Sequence, residues 1–176
     1  DVFVDVSGEL SCVSAAVTLT GSSSIPDGLY EWTYPDGTVI VQGPVLETSL
    51  PGVYTLTVGN PSNTCAASAW IEVLQDITAP SAEADVSGIL TCVETEMTLL
   101  GSSDVVGASY SWTGPNGFVS DEQNPVVGFP GDYELTVTDP SNGCTASASV
   151  FVYENTYGPR AYILIDDVYP GDSQIT

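Results

Sequence analysis

Four cysteines carry the clearest chemistry in this chain of 176 residues, and they fall in two pairs, Cys12 with Cys65 and Cys92 with Cys144. Four cysteines allow three connectivities, among which sequence alone does not choose. Their return at matching positions favours one bridge inside each copy, Cys12–Cys65 and Cys92–Cys144, and closing loops of that length stabilises a small module by roughly 4 kcal/mol on the chain-entropy account. Persistent disulfides imply an oxidising, extracytoplasmic setting. No Cys-X-X-Cys spacing occurs and no cation neighbours a thiol, so redox and nucleophilic cysteine chemistry is not expected. The chain has no His, and its one basic residue is Arg160. Catalytic triads, His-ligated metals, Schiff bases and Lys–Asn isopeptide staples are thereby excluded. The neighbouring acids Asp121-Glu122 and Asp166-Asp167 could be paired for glycoside chemistry, but adjacent strand residues face opposite ways, and solvated loop acids are the simpler reading. No enzymatic activity, catalytic residue or cofactor is expected.

The elements that position the cysteines are themselves repeated. Asp5-Val6-Ser7-Gly8-Glu9-Leu10-Ser11-Cys12-Val13 returns as Asp85-Val86-Ser87-Gly88-Ile89-Leu90-Thr91-Cys92-Val93, and Pro51-Gly52-Val53-Tyr54-Thr55-Leu56-Thr57-Val58 returns as Pro130-Gly131-Asp132-Tyr133-Glu134-Leu135-Thr136-Val137. The offset drops by one residue between Gly117 and Pro130, which places a deletion in a loop. A unit this long is a module able to bury its own core, not one turn of a solenoid.

A formal net charge of -22, from 23 Asp+Glu against a single basic residue, repels nucleic-acid backbones and anionic lipid surfaces. The 43% hydrophobic content argues for packed domains over disorder. The acids are scattered singly, as in a solvating coat that limits nonspecific contacts. No stretch is apolar enough to span a bilayer, and the opening on Asp1, without Met or signal peptide, suggests a piece of something longer.

Alternation is the dominant period. Val17 and Leu19, Tyr30 and Trp32, Tyr54, Leu56 and Val58, then Ala67, Ala69, Ile71 and Val73 share one face of successive short strands, with counterparts in the second copy. Turn signals such as Pro35-Asp36-Gly37 and Pro115-Asn116-Gly117 separate them. About seven short strands with a Trp on the third predict an immunoglobulin-like sandwich. Tyr54 and Tyr133 stand where a tyrosine corner would form, or are ordinary half-buried aromatics. The chain divides into module 1 (1–76), a short Pro-containing linker (77–81), module 2 (82–154) and a C-terminal segment (155–176). Asp76, Glu83 and Asp85 gather near the joint, where a structural calcium would sit if one is bound, although no Asp-X-Asp-X-Asp-Gly loop exists. Trp70, Phe151 and Tyr153 face away from the predicted core and are candidates for a module or subunit contact or for sugar stacking, unless a loop covers them. In the C-terminal segment Tyr162, Ile163 and Leu164 belong to an apolar stretch that is either the first strand of an unlike domain or a strand lent to another subunit, a route to a homo-oligomer or filament.

Residues 87 to 148 carry a nearly complete pattern: Ser-Gly-X-Leu-Thr-Cys, Thr-Leu-X-Gly-Ser-Ser, Tyr-X-Trp-Thr-Gly-Pro-Asn-Gly-Phe, and Pro-Gly-X-Tyr-X-Leu-Thr-Val-Thr-Asp-Pro-Ser-Asn-Gly-Cys-Thr-Ala-Ser-Ala. It resembles the Cys-paired, PKD-like or immunoglobulin-like repeats of giant surface adhesins and filaments of Bacteroidota, including gliding and predatory cells, over about 150 of the 176 residues. Copy one departs at Trp-Thr-Tyr-Pro-Asp-Gly-Thr and Gly-Asn-Pro-Ser-Asn-Thr-Cys. The resemblance implies an all-β tandem sandwich, export by the type IX secretion system and a place on the cell surface. It also implies partners among neighbouring modules of the same polypeptide, with a surface glycan or cell-surface target beyond them, and supplies no catalytic residues. The expected function is a structural or interaction segment of an adhesin or filament. The alternative is a carbohydrate-binding or spacer module of a secreted hydrolase, which a catalytic domain elsewhere in the polypeptide would favour.

Overall fold

Alternating apolar residues become strands because each strand buries every second side chain against a facing sheet. The computed structural model describes residues 1–158. Module 1 contains β1 (Val2–Val6), β2 (Leu10–Ser11), β3 (Val17–Ser23), β4 (Leu29–Thr33), β5 (Val39–Val41), β6 (Val45–Thr48), β7 (Gly52–Gly59), β8 (Ala66–Val73) and β9 (Gln75–Asp76). Module 2 repeats them as β10 (Glu83–Val86), β11 (Leu90–Thr91), β12 (Met97–Ser102), β13 (Ser109–Gly114), β14 (Phe118–Ser120), β15 (Val126–Val127), β16 (Gly131–Thr138), β17 (Thr145–Val152) and β18 (Glu154–Asn155). Among the described residues there is no α-helix, and hence none long and apolar enough to cross a membrane.

In each module a three-stranded sheet, β1-β3-β6 or β10-β12-β15, faces a four-stranded sheet, β5-β4-β7-β8 or β14-β13-β16-β17. The chain changes sheets between β3 and β4, β5 and β6, and β6 and β7, which is the strand order of an immunoglobulin-like sandwich. The short β2 pairs in parallel with β9, and β11 with β18, so the chain just past the last long strand lies beside the entry strand of its own module.

Two separate cores result. Trp32, Tyr54, Leu56, Val58 and Leu19 are fully buried in one, and Trp112, Tyr133, Leu135, Val137 and Leu99 in the other. Each indole N–H donates to a backbone carbonyl, Trp32 to Gly43 and Trp112 to Gln123, both at 3.2 Å, so neither buried ring leaves a polar group unpaired. The facing position must be glycine: a Cβ at Gly101 would stand 3.3 Å from the Trp112 ring and 2.9 Å from the Gln123 carbonyl. The deleted residue falls before β15, which keeps two residues where β6 has four. Asn124 compensates, its Oδ1 accepting the Gly101 N–H that at Gly21 goes to the Pro44 carbonyl.

Tyr54 and Tyr133 form tyrosine corners, each buried and each donating its hydroxyl four residues back, to the carbonyls of Leu50 at 3.0 Å and Phe129 at 2.9 Å.

The expected disulfide pairing is overturned. The bridge joins Cys12 to Cys144, across the modules, while Cys65 and Cys92 are free and exposed. The reason is polarity: Cys65 immediately precedes the eight-residue β8, and Cys12 lies beside the chain that follows that strand's far end. A strand of that length spans roughly 26 Å, whereas a disulfide requires Cα atoms within about 7 Å. The same holds for Cys144 and Cys92 at opposite ends of β17. The two modules are therefore not closed individually by sulfur; backbone pairing of β2 with β9 and of β11 with β18 closes the margin instead.

Candidate functional site

Two tight turns meet at the joint between the modules. From module 1 comes the turn after β2, where the Ser11 N–H donates to the Ser14 carbonyl at 2.9 Å and the Ser11 hydroxyl accepts the N–H groups of Val13 and Ser14. Cys12 and Val13 are held at its tip. The short β2, pinned by the Leu10 N–H to the Leu74 carbonyl at 3.0 Å, aims that tip beyond the end of its module.

From module 2 comes the turn between β16 and β17. The Asp139 N–H donates to the Cys144 carbonyl at 2.9 Å, the Gly143 N–H to the Asp139 carbonyl at 2.8 Å, and the Asp139 carboxylate accepts from Ser141. Asn142 Oδ1 accepts the Cys144 N–H at 2.8 Å, and its Nδ2 donates at 2.9 Å to the Thr78 carbonyl in the linker. Asn142 is 3% exposed and Cys144 1%. Gly143 has φ 71°, and a Cβ there would overlap Val13. With no side chain at that position, the two turns approach until the Cys12 and Cys144 Cα atoms stand 5.0 Å apart.

The linker is anchored at both ends. The Thr78 N–H, followed by the Asn142 side chain, holds the Asp76 carboxyl below the usual carboxylate range. At the other end Asp104 accepts the Ser81 N–H at 2.7 Å and the Ser81 hydroxyl at 2.8 Å, which lowers its carboxyl likewise. The joint thus has two covalent paths, the peptide linker and the disulfide, with a buried amide tying them together. A bridge of this kind fits an oxidising compartment.

The other predicted site residues are dispersed. Asp76, Glu83 and Asp85 do not converge, and among the described residues no group of three or more His, Cys, Asp or Glu is placed to hold a metal ion. Their carboxylates are spent locally, Glu83 on the Ser102 hydroxyl and Asp85 on the Val86 N–H. Trp70 lies on the outer face of the four-stranded sheet of module 1, opposite Thr55, and is 70% exposed with no loop over it. Phe151 and Tyr153 form an exposed pair with ring centroids 4.7 Å apart. Tyr162, Ile163 and Leu164 lie outside the described residues, as do Asp166 and Asp167. Asp121 and Glu122 are exposed loop acids.

Sequence reasoning missed Val13, Asn142, Gly143 and Thr78 as the partners that make the joint. One signal was present: Thr64 and Gly143 occupy the same place in the two copies, and glycine stands where the Val13 side chain of the other module comes close.

No protein-family model matches the chain, and no curated protein matches it. Among solved structures it is similar to the three N-terminal domains of the outer capsid protein Hoc of bacteriophage RB49, with 16% identity, 88% of this chain and 58% of that chain covered, and a TM-score of 0.48. The chain therefore spans little more than half of that structure. It is also similar to murine CEACAM1b, with 13% identity, 88% and 100% coverage and a TM-score of 0.41. An amphioxus IgVJ-C2 molecule matches with 16% identity, 85% and 96% coverage and a TM-score of 0.37. The immunoglobulin-like fold rests on the strand order and register of the chain itself.

Proposed function

We propose that the chain is a structural and interaction segment of a long extracellular adhesin or filament, in which the beads set reach and the joints set stiffness. The observation that carries this reading is the Cys12–Cys144 bridge across the joint, in place of one within each bead. Tension applied at the two ends of the chain passes from residue 12 to residue 144 through sulfur. Strands β3 to β16, which include both tryptophans and most of both cores, lie inside the bridged loop, so once β1 and β17 are stripped from β3 and β16 the bridge bears the tension and these strands are not drawn out. A spacer stretched between a cell and its target needs that protection, whereas an enzyme does not. The polyanionic surface fits the same role by limiting adventitious contacts. Export by the type IX system, attachment in gliding or prey capture, and a non-catalytic role belong to this reading and follow from the resemblance of residues 87 to 148.

A single-molecule pulling measurement tests it. With 132 residues of separation behind the bridge, full unfolding of the reduced chain should release about 460 Å more contour length than the oxidised chain, at about 3.5 Å per residue. Bridges inside each module would instead hide two loops of roughly 180 Å apiece. Equal extension before and after reduction would remove the mechanical reading.

One observation favours the carbohydrate-binding alternative. Trp70 presents its ring, unpaired, from a sheet face, as a sugar-stacking platform would. Binding to an array of surface glycans that is lost in Trp70→Ala would support that reading.

A further inference from the structure

The joint has two complementary halves, and each half occurs twice in the chain. One half is the turn that bears Cys12, whose counterpart bears Cys92. The Thr91 N–H donates to the Glu94 carbonyl at 2.8 Å and the Thr91 hydroxyl accepts the N–H groups of Val93 and Glu94, bond for bond the arrangement around Ser11. The other half is the turn that bears Cys144, whose counterpart bears Cys65. The Asn60 N–H donates to the Cys65 carbonyl at 2.7 Å, and Asn63 Oδ1 accepts the Cys65 N–H at 3.0 Å. Even the linker entry recurs, since the Tyr157 N–H donates to Asn155 Oδ1 as the Thr78 N–H donates to Asp76 Oδ1.

What distinguishes these cysteines from any exposed thiol is that their exact repeat equivalents are bonded to each other in the same molecule. The seat is demonstrated once, and its two halves stand open at the opposite poles of the pair. Such a contact is heterologous, using different surfaces on the two partners, and it propagates without closing.

We propose that Cys65 and Cys92 are the open halves of the Cys12–Cys144 joint, and that each closes a disulfide with the complementary pole of a further unit of this same repeat, so that units are stapled head to tail. The inference deepens the spacer reading and rests on it. The oxidant is a disulfide of the glutathione type. The Cys92 thiolate attacks it and releases one small thiol; the Cys65 thiolate of the next unit then attacks Cys92 Sγ, releasing the second. Two electrons pass to the oxidant, and the two thiol protons end on its two thiols.

One residue makes the open seat tighter than the closed one. Thr64, at φ 59°, carries a side chain where Gly143 has none, and Val93 must enter beside it as Val13 enters beside Gly143. Thr64→Gly should therefore improve the seat.

The test uses the chain itself as its own partner. Concentrated protein is equilibrated with reduced and oxidised glutathione, and the crosslinked species are digested at acidic residues and mapped by mass spectrometry without reduction. Random pairing of two equally reactive thiols yields Cys65–Cys92 about twice as often as either like pair. A built seat worth ~1.4 kcal/mol raises that preference about tenfold. The expected result is such an excess of Cys65–Cys92, raised severalfold further in Thr64→Gly and abolished in either Cys65→Ser or Cys92→Ser. Pairing at the random ratio, thiols ending as glutathione adducts, or no gain from Thr64→Gly would overturn the proposal. Any of these failures, with Cys12–Cys144 intact and the pulling signature present, would leave the spacer reading standing.

Discussion

The turns Asp139–Cys144 and Asn60–Cys65 have nearly the same internal hydrogen bonds and the same left-handed backbone at the residue before the cysteine, yet one is buried and the other bare. Asn142 and Cys144 are 3% and 1% exposed, while Asn63 and Cys65 are exposed. The turn is therefore built by local chemistry: the Asx bonds that seat Ser62 and Cys65 need no neighbour. Burial is conferred by the adjoining module. Each module carries both half-joints, and a neighbouring module buries the one it meets.

That contrast is sharpest in thiol chemistry, where the expected effect is all or none. An alkylating reagent applied to the native protein should label Cys65 and Cys92 and leave Cys12 and Cys144 untouched, and reduction should raise the count from two labels to four. Intact-mass measurement reads the count directly. Since Arg160 is the only tryptic site in the chain, a protease that cuts at acidic residues is needed to place the labels. No labelling of the native protein would show that Cys65 and Cys92 are not free thiols and would remove the contrast.

The fold was legible because its signal is local. Alternation picks out Leu19, Trp32, Tyr54, Leu56 and Val58, all fully buried, and Pro-Gly-X-Tyr marks the two corners. The disulfide was not legible, because the matching spacing of Cys12 to Cys65 and of Cys92 to Cys144 is produced by any repeated unit, whichever way its sulfurs bond. The deciding fact is which pole of the sandwich each cysteine occupies, and that depends on β2 lying parallel to β9, a contact between residues 65 positions apart, Leu10 and Gln75. The outward direction of Trp70 was readable from the period of two, but whether anything covers it was not, since cover comes from loops that periodicity does not describe. The copies also exchange ring partners unseen. Tyr34 meets Tyr54 edge-on at 5.2 Å, whereas module 2 has Gly114 in place of Tyr34 and brings Phe118 against Tyr133 at 5.4 Å.

A smaller effect separates the two asparagines. Asn142→Ala removes the bond to the Cys144 N–H and the bond to the Thr78 carbonyl in a buried setting, and should cost about 1–2 kcal/mol in denaturant unfolding. Asn63→Ala removes one exposed bond and should cost about 0.5–1 kcal/mol. Equal costs would mean that the amide contributes nothing to the joint.

The smallest expected effect compares the two tyrosine corners. Burial raises the Tyr54 and Tyr133 phenols above their ordinary value of 10.0, opposed at Tyr54 by the Thr48 hydroxyl, while the bond that Tyr133 donates to the Phe129 carbonyl favours its neutral form as well. Both are neutral donors in the folded protein, and unfolding lets them ionise at the ordinary value. Below that pH neither state loses the proton, and their contribution to stability is fully present. Above it the unfolded chain releases protons first, so stability falls as pH rises through the raised folded values. Tyr133→Phe should cost about 0.5–1.5 kcal/mol at neutral pH by orphaning the Phe129 carbonyl, and should flatten part of the alkaline decline. Tyr54→Phe should cost more at neutral pH, because Tyr54 also bonds the Thr48 hydroxyl at 2.6 Å, whose oxygen in turn accepts the Leu50 N–H. Urea midpoints across the alkaline range for the parent and the two variants check the ordering; identical losses in both variants would mean that the Thr48 contact adds nothing and that the corners are equivalent.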